Sequence, residues 1–223
     1  MGGAFQVALT FDAEHPDRAH RPGVTEAILD VLADHGVAST WFLQGRWVEA
    51  HPETASRVAS DGHLVGSHSF YHARLPLLTD DGIAADVRAA ERAIRDIVGV
   101  DPRPWFRCPF SAGSDDPRVL GLLSSMGYRD VEQDIVLEDW EPNRTGGAIA
   151  EDAVREVPLA GDPVVILLHA WPPGTLVALP AMIDGLRALG AAFVRIDDLE
   201  RFAGQPASAF GRAPAPARAA GDA

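Results

Sequence analysis

The sequence predicts an α/β fold in which about seven parallel strands close, or nearly close, into a barrel. Short apolar segments alternate with helix-like segments along most of the chain, which is the pattern of repeated strand–helix units. Residues 164–168 are apolar at every position, as expected of a central parallel strand covered on both faces. About seven such units in 223 residues favour a single barrel domain.

The individual elements follow from local patterns. Strands are predicted where short apolar runs occur, at residues 5–12, 39–43, 63–66, 104–107, 128–132, 164–168 and 192–196. Helices are predicted where apolar residues recur every three or four positions, at residues 24–36, 48–59, 79–97, 117–126 and 179–189. Thr79 caps the third of these helices, and Gly36 and Gly127 end the first and the fourth.

Composition and charge restrict the function. With 19 basic and 32 acidic residues the net charge is −13, which disfavours nucleic acid and anionic membranes as partners. The single cysteine, Cys108, excludes an internal disulfide and a cysteine-rich zinc site. No segment has the ~20 apolar residues of a membrane span. No signal peptide is visible, so a cytoplasmic location is expected, although an exported protein with a trimmed N-terminus would look the same.

The chain is predicted to consist of one domain and a tail. Residues 1–203 contain all the strand–helix units, whereas residues 204–223 are rich in Ala, Pro and Gly. Such a composition buries too little apolar surface to offset the entropy of ordering, so this tail is predicted to be disordered.

Polar and ionisable residues occur where the predicted strands end. In parallel strand–helix folds these ends lie on one rim, where the connecting loops carry reactive groups. Each residue alone has an ordinary explanation as a helix cap, an ion-pair partner or a surface histidine. Together they favour a functional site, because partly buried charges need partners. The residues are Asp12, Glu14, His68, His72, Arg107 and His169.

These residue types suit a catalytic metal. Two neutral imidazoles, here His68 and His72, and one carboxylate hold Zn²⁺ while leaving coordination positions open. Asp12 and Glu14 are two residues apart on an extended strand end, so both face the same cavity. One can bind the metal while the other accepts a proton. His169, on another strand, is placed to protonate a leaving group.

Five short motifs occur in the order and spacing of a known family. They read LTFD at residues 9–12, GSHSFYH at 66–72, RCPF at 107–110, DW at 139–140 and LLH at 167–169. These motifs resemble those of the polysaccharide deacetylases, the NodB homology domain of carbohydrate esterase family 4, over about residues 5–202. The resemblance implies a NodB-like, distorted (β/α) barrel with about seven strands and a metal-dependent deacetylase site.

The resemblance also implies the roles of single residues. Asp12 would be the general base, oriented by Arg107 through a charge-assisted hydrogen bond. His169 would be the general acid, and His68 and His72 would bind the metal.

Three further residues would shape the substrate site, again by resemblance. The backbone N–H of Phe110 would help to hold the oxyanion of the tetrahedral intermediate. Trp140 and Leu167 would line an apolar pocket for the acetyl methyl group. The cofactor implied is one divalent metal ion, Zn²⁺ in the first place, with Co²⁺ or Ni²⁺ as alternatives.

The chain departs from the common first motif, which has two adjacent aspartates, the second of them on the metal. Ala13 occupies that second position. Some branches of the family place this carboxylate two residues after the first aspartate, and Glu14 matches them, so it is assigned as the third metal ligand. His15 and Asp17 are the alternatives.

Two other positions also differ from the family pattern. The acid that usually orients the catalytic histidine aligns with Val136, which leaves Asp134 or Glu138 as substitutes. In the third motif the usual Tyr-Gly pair is replaced by Phe110 and Ser111. The role expected of the Phe110 backbone N–H does not depend on either side chain, so both replacements are compatible with it.

The leading hypothesis is a metal-dependent hydrolase that uses metal-activated water to remove an acetyl group from an N-acetylated amino sugar in an oligo- or polysaccharide. Three alternatives stay open. They are a deformylase, ureide or imide hydrolase acting on a small metabolite, an O-acetyl esterase, and a non-catalytic glycan-binding relative. The sequence does not predict the oligomeric state.

Overall fold

The strands of the protein form one parallel sheet that curls into an incomplete barrel. A computed structural model describes residues 5–17 and 21–202. The strands in chain order are β1 (Phe5–Ala13), β2 (Thr40–Leu43), β3 (Leu64–Ser67), β4 (Trp105–Phe106), β5 (Arg129–Asp130), β6 (Ile135–Val136), β7 (Val164–His169) and β8 (Ala191–Phe193). Their order across the sheet is β5-β4-β3-β2-β1-β7-β6, and β8 pairs with β1. The predicted α/β fold, a distorted barrel of parallel strands, is confirmed.

Strand β1 lies in the middle of the sheet and determines which strand ends meet. Its first residues pair with β8 on one edge and with β7 on the other. Further along, β2 takes the place of β8, so that Asp12 lies between Phe42 of β2 and His169 of β7. The C-terminal ends of β1, β2 and β7 therefore come together beside Asp12.

Side chains of β1 alternate between the two faces of the sheet. Leu9 and Phe11 point outward and pack under the helices, whereas Ala8 belongs to a separate cluster inside the barrel. By the same alternation Asp12 ends the inward row at the rim, and Ala13 returns to the outer core. The residue in the usual place of the second aspartate thus points away from the cavity.

Helices cover the outer face of the sheet. They are α1 (Val24–Asp34), α2 (Gly45–Ala50), α3 (Pro52–Ser60), α4 (Asp80–Ala93), α5 (Pro117–Ser125), α6 (Gly146–Ala160) and α7 (Pro173–Ala188). The predicted cap of α4 is confirmed, because the hydroxyl oxygen of Thr79 accepts the backbone N–H of Gly82 over 3.1 Å. Beyond α4 the chain continues as a π-helical turn over Ile94–Val98.

Several predicted elements need correction. The single helix predicted at 48–59 is two helices, α2 and α3, that meet at His51. Pro52 starts α3, and a proline disfavours the helical conformation at the residue before it. Helix α6 and the two-residue strand β6 were not predicted. Helix α7 begins at Pro173, six residues before the predicted start, because proline is well suited to a first helical turn.

Two further predictions concern the C-terminal tail and membrane-spanning segments. The predicted disordered tail, residues 204–223, lies outside the described residues, so the domain boundary after residue 203 stays a prediction. Within residues 5–17 and 21–202, no helix combines the length and apolarity that crossing a bilayer requires.

Candidate active site

A cavity of about 390 Å³ opens at the C-terminal ends of the strands. Every residue that the sequence predicts for the site lines it, although these residues come from separate strands and loops. They are Asp12, Glu14, His68, His72, Arg107, Phe110, Trp140, Leu167 and His169. The fold therefore brings the complete predicted set to one place.

Asp12 is buried at the end of β1 and is held by an arginine. Arg107 Nη1 donates a hydrogen bond to Asp12 Oδ1 over 2.9 Å, and Arg107 Nε donates to the carbonyl oxygen of Val131 over 3.1 Å. The guanidinium also lies 4.2 Å from the centre of the Phe42 ring. These contacts fix Arg107, and its charge-assisted bond fixes the orientation of the Asp12 carboxylate.

Three buried side chains form a cluster that can hold a metal ion. One ligand atom from each of Glu14, His68 and His72 lies within 4.8 Å of the others. His68 Nδ1 donates to the carbonyl oxygen of Arg107 over 2.9 Å, so in the neutral imidazole the lone pair is on Nε2. This buried Nε2 makes no hydrogen bond within the described chain, and it faces Glu14 Oε2 at 3.4 Å and Asp12 Oδ2 at 3.6 Å.

The donor set fits a divalent cation. A buried imidazole nitrogen that faces two carboxylates needs either a proton or a metal ion between them. Burial lowers the pKa of His68, but the charges of Asp12 and Glu14 outweigh burial and raise it above its usual value, so the same two carboxylates that favour a proton here also favour a cation. Imidazole and carboxylate are ligands that Zn²⁺ and similar ions accept, and the backbone hydrogen bond at His68 Nδ1 is the kind of support that orients a ligating histidine.

The carboxylate of Glu14 is surrounded by histidines. Its Oε2 contacts His72 Nε2, and its Oε1 lies 2.9 Å from His15 Nε2. Burial raises the pKa of Glu14, but hydrogen bonds from His15 and His72, together with the charge of His68, outweigh burial and hold this pKa well below its usual value. Glu14 is therefore ionised, which is the state that a metal ligand requires.

Neither alternative to Glu14 joins the ligand cluster. His15 contacts Glu14 itself, and its ring packs edge-on against the ring of His72 at 4.7 Å. Asp17 forms an ion pair with Arg46 at 2.8 Å instead. Of the three candidates, Glu14 is the one whose carboxylate lies in the cluster with His68 and His72.

A buried aspartate that the sequence analysis missed anchors the loop between His68 and His72. Asp86 of α4 accepts the backbone N–H groups of Phe70 and Tyr71 over 2.9 and 3.0 Å. The backbone of His72 is left-handed, with φ 57°, a conformation that costs energy outside glycine. Asp86 was visible in the sequence as a charged residue on the apolar stripe of α4.

His169 at the end of β7 is oriented by Asp139. The carboxylate accepts the His169 Nδ1 proton over 2.7 Å and the His169 backbone N–H over 2.7 Å. Burial lowers the pKa of His169, but the charge and hydrogen bond of Asp139, together with the charges of Glu14 and Asp12, raise it to about 9. His169 therefore carries two ring protons at neutral pH and can donate one from Nε2.

The expectation that Asp134 or Glu138 orients His169 is wrong. Asp134 instead forms an ion pair with Arg201 at 2.7 Å and accepts the backbone N–H of Val165. Glu138 is exposed to solvent. The acid that orients His169 is Asp139, the neighbour of Glu138 in the sequence. The path of the chain after β6 turns the side chain of Asp139 toward β7.

Apolar and aromatic groups form the walls of the cavity. The rings of Trp140 and His169 lie edge to face at 5.1 Å, and Leu167 lines the cavity from the same strand as His169. Phe110 has a left-handed backbone, with φ 57° and ψ 21°, and its ring lies 4.4 Å from the ring of His72. The walls thus surround the polar cluster with surfaces that suit a small apolar group.

Comparison with known proteins decides the family. The family model described as polysaccharide deacetylase matches residues 2–131, which is more than half of the chain. The chain belongs to the polysaccharide deacetylase family. The resemblance drawn from the five motifs is thereby confirmed.

Relatives of this polysaccharide deacetylase domain match along most of its length. The peptidoglycan-N-acetylmuramic acid deacetylase PdaA of Bacillus subtilis is 30% identical over 194 residues, covering 86% of this chain and 70% of that protein. A chitooligosaccharide deacetylase of Azorhizobium caulinodans is 28% identical over 200 residues, covering 83% and 90%. The solved structure of a family 4 carbohydrate esterase from Streptomyces lividans, in complex with acetate, matches with a TM-score of 0.74 at 26% identity and covers 86% and 92%.

Proposed function

We propose that this protein is a metal-dependent hydrolase that removes the acetyl group from an N-acetylated amino sugar in an oligo- or polysaccharide. One observation carries the proposal. Asp12, held by Arg107, and His169, held by Asp139, line the same cavity as the cluster of Glu14, His68 and His72. Asp12 Oδ2 lies 3.6 Å from His68 Nε2, and His169 Nε2 lies 3.9 Å from Glu14 Oε1. The names of the relatives, which are deacetylases of peptidoglycan and chitooligosaccharides, support an amino-sugar substrate.

Glu14, His68 and His72 would hold one divalent cation, with Zn²⁺ the first candidate and Co²⁺ or Ni²⁺ the alternatives. The unpartnered Nε2 of His68 and the ionised Glu14 support this assignment. Such an ion supplies a Lewis acid that lowers the pKa of water and polarises a carbonyl oxygen.

The other residues handle protons and charge. Asp12, fixed by Arg107, takes the proton from the attacking water as general base. His169, protonated and fixed by Asp139, donates its Nε2 proton to the nitrogen of the departing amine. The backbone N–H of Phe110 donates to the developing oxyanion.

Substrate orientation comes from the apolar wall. Trp140 and Leu167 hold the acetyl methyl group, which directs the amide carbonyl carbon toward the polar cluster. A methyl-sized apolar pocket discriminates modestly among acyl groups, since one methylene is worth about 1–3 kcal/mol.

The decisive experiment measures the acid released from a panel of substrates, with and without a chelator. The panel contains N-acetylglucosamine oligomers, acetylated xylan, formamides and allantoin. We expect acetate from the sugar oligomers, abolished by the chelator and restored by Zn²⁺. Formate or ring opening would favour the small-metabolite hydrolase, acetate from xylan alone the esterase, and no release from any substrate the non-catalytic relative.

A pair of matched variants tests the general base. Asp12→Asn should lower kcat about 10²–10⁴-fold, because it removes the proton acceptor and keeps the side-chain shape. Asp34→Asn makes the same chemical change at an exposed position at the end of α1 and should leave kcat unchanged. Wild-type turnover by Asp12→Asn would contradict the mechanism.

A further inference from the structure

The two oxygens of Glu14 have different surroundings. Oε2 faces the ligand atoms of the cluster, with His72 Nε2 in contact and His68 Nε2 at 3.4 Å. Oε1 faces His15 Nε2 at 2.9 Å, while His169 Nε2 lies further away at 3.9 Å. Oε2 is therefore directed at His68 and His72, the other two members of the cluster. Oε1 is held by His15, which does not belong to the cluster.

His15 is itself fixed in place. Its backbone N–H donates to Gln44 Oε1 over 2.9 Å, and the backbone N–H of Gln44 donates to the carbonyl oxygen of Ala13 over 3.0 Å. Its own backbone is left-handed, with φ 58°. The ring packs edge-on against His72 at 4.7 Å and lies 6.4 Å from the ring of Trp171. These contacts direct Nε2 toward Glu14.

We propose that His15 is a positioning residue that fixes the Glu14 carboxylate through a hydrogen bond to Oε1, so that Oε2 is presented to the metal. This inference rests on the proposed metal-dependent function. The physical reason is the length of the side chain. A glutamate has one more rotatable bond than an aspartate, and an unsupported Glu14 would lose more conformational freedom on binding an ion.

The geometry is that of an outer support for a metal ligand. A carboxylate ligand whose second oxygen accepts a hydrogen bond is restricted to one orientation, and loss of such a partner typically weakens metal affinity about 10–100-fold. In this chain the carboxylate lies one residue later than in the common first motif, and His15 follows it directly. The support and the displaced ligand are thus neighbours in the sequence.

Two substitutions of His15 separate the hydrogen bond from the backbone conformation. His15→Asn tolerates the left-handed backbone, because asparagine is enriched there, but its short amide does not reach Glu14. His15→Gln tolerates that backbone less well, but its longer amide can donate to Glu14 Oε1. If His15 positions Glu14, His15→Gln should bind the metal more tightly than His15→Asn. If His15 has a purely structural role, His15→Asn should be the more stable variant and should bind the metal at least as tightly as His15→Gln.

The experiment titrates the metal-free proteins with Zn²⁺ alone and with Co²⁺ alone, in competition with a chromophoric chelator. We expect Kd to rise about 10–100-fold in His15→Asn and to recover partly in His15→Gln. The visible spectrum of the Co²⁺ protein should change in His15→Asn as the carboxylate reorients. His35→Asn is the matched control, since this half-buried histidine lies at the end of α1 and bonds the carbonyl of Val31.

The outcomes separate this inference from the proposed function. Unchanged Kd and spectrum in His15→Asn, or Kd in His15→Gln no lower than in His15→Asn, would overturn the positioning role and leave the deacetylase proposal intact. If metal affinity falls from the wild type to His15→Gln to His15→Asn, but the wild type releases no acetate, only the deacetylase proposal would be overturned. A wild type that binds neither ion would overturn both.

Discussion

Asp139 determines the protonation of His169, and its contribution can be measured at a single residue. It accepts the Nδ1 proton of the imidazole and, on its second oxygen, the hydroxyl of Thr175. An asparagine keeps the shape but presents an amide N–H group where the carboxylate accepts. The positive charge on His169 would then lose its partner.

Asp139→Asn should therefore lower kcat about 10²–10⁴-fold, with little change in the far-UV circular dichroism spectrum. The control is Asp134→Asn, which alters the neighbouring acid that pairs with Arg201. It should cost stability and leave kcat near the wild-type value. A larger loss of kcat in Asp134→Asn than in Asp139→Asn would show that the orienting acid has been misidentified.

His63, far from the proposed chemistry, predicts a pH dependence of folding. Its Nδ1 accepts the backbone N–H of Ser39 over 3.1 Å. Burial lowers the pKa of His63 to about 4, helped by the charges of Arg57 and Arg195 and opposed by that of Asp61. Because the folded pKa is below the unfolded value of ~6.5, the neutral ring stabilises the fold fully above pH ~6.5. This stabilisation is lost as the pH falls toward 4.

The loss amounts to roughly 3 kcal/mol over that range. His63→Asn offers an uncharged acceptor in place of Nδ1, so its free energy of unfolding should fall less between pH 7 and pH 4 than that of the wild type. Urea unfolding at both pH values measures the difference. Equal decreases in the free energy of unfolding of the two proteins would show that His63 does not cause the pH dependence.

At the scale of the element, β3 links the interior of the barrel to the site. A Cβ on Gly66 would lie 2.7 Å from Phe42 Cδ1 and 3.0 Å from Trp105 Cβ. Phe42 in turn packs against the guanidinium of Arg107, and β3 runs directly into His68. The absence of a side chain at Gly66 therefore allows the packing that positions both His68, a proposed metal ligand, and Arg107, the partner of Asp12.

Gly66→Ala should lower the free energy of unfolding by about 1–3 kcal/mol, as overpacking of a core typically does, and should weaken Zn²⁺ binding as well. Thermal unfolding and metal titration measure the two effects. Gly121→Ala is the control, because this exposed glycine within α5 has open space around it, and alanine there should stabilise the helix by up to about 1 kcal/mol. Equal melting temperatures for Gly66→Ala and the wild type would contradict the packing argument.

At the scale of the whole molecule, the end of the described chain completes the interior of the barrel. Ile196, Leu199 and Phe202 belong to the inner core, and the ring of Phe202 lies edge to face with Trp105 at 5.7 Å. Arg129 donates to the carbonyl oxygen of Phe202 over 2.9 Å. The segment after β8 thus fills part of the interior of the barrel.

Two truncations test this boundary. A chain ending after residue 203 should keep the melting temperature and activity of the full chain, as the composition of residues 204–223 predicts. A chain ending after residue 195 loses three buried apolar side chains and should unfold at a clearly lower temperature, each such loss costing about 2–5 kcal/mol. Equal stability of both truncated chains would contradict this role of the terminal segment.

The local sequence pattern predicted those elements in which apolar residues recur at regular spacing or form a long run. Strand β1, strand β7 and helix α4 have long apolar rows, and all three occur where expected. Strand β6 has only two residues, too few for any period. Helix α6 begins with two glycines and contains Pro158, so its propensity is weak and its packing on α7 stabilises it.

The sequence by itself determined which side chains reach the rim, because strand alternation and the ends of apolar runs are local properties. These local patterns are enough to predict that Asp12, Glu14 and His169 share one cavity. Tertiary structure alone decided that Asp139 is the partner of His169, whereas the pairing of Asp12 with Arg107 was expected from the family resemblance and from no local pattern. Asp139 and His169 are 30 residues apart, and Asp12 and Arg107 are 95 residues apart. Which atoms meet across such separations depends on the register of the strands and on the path of the loops, and no local pattern encodes either.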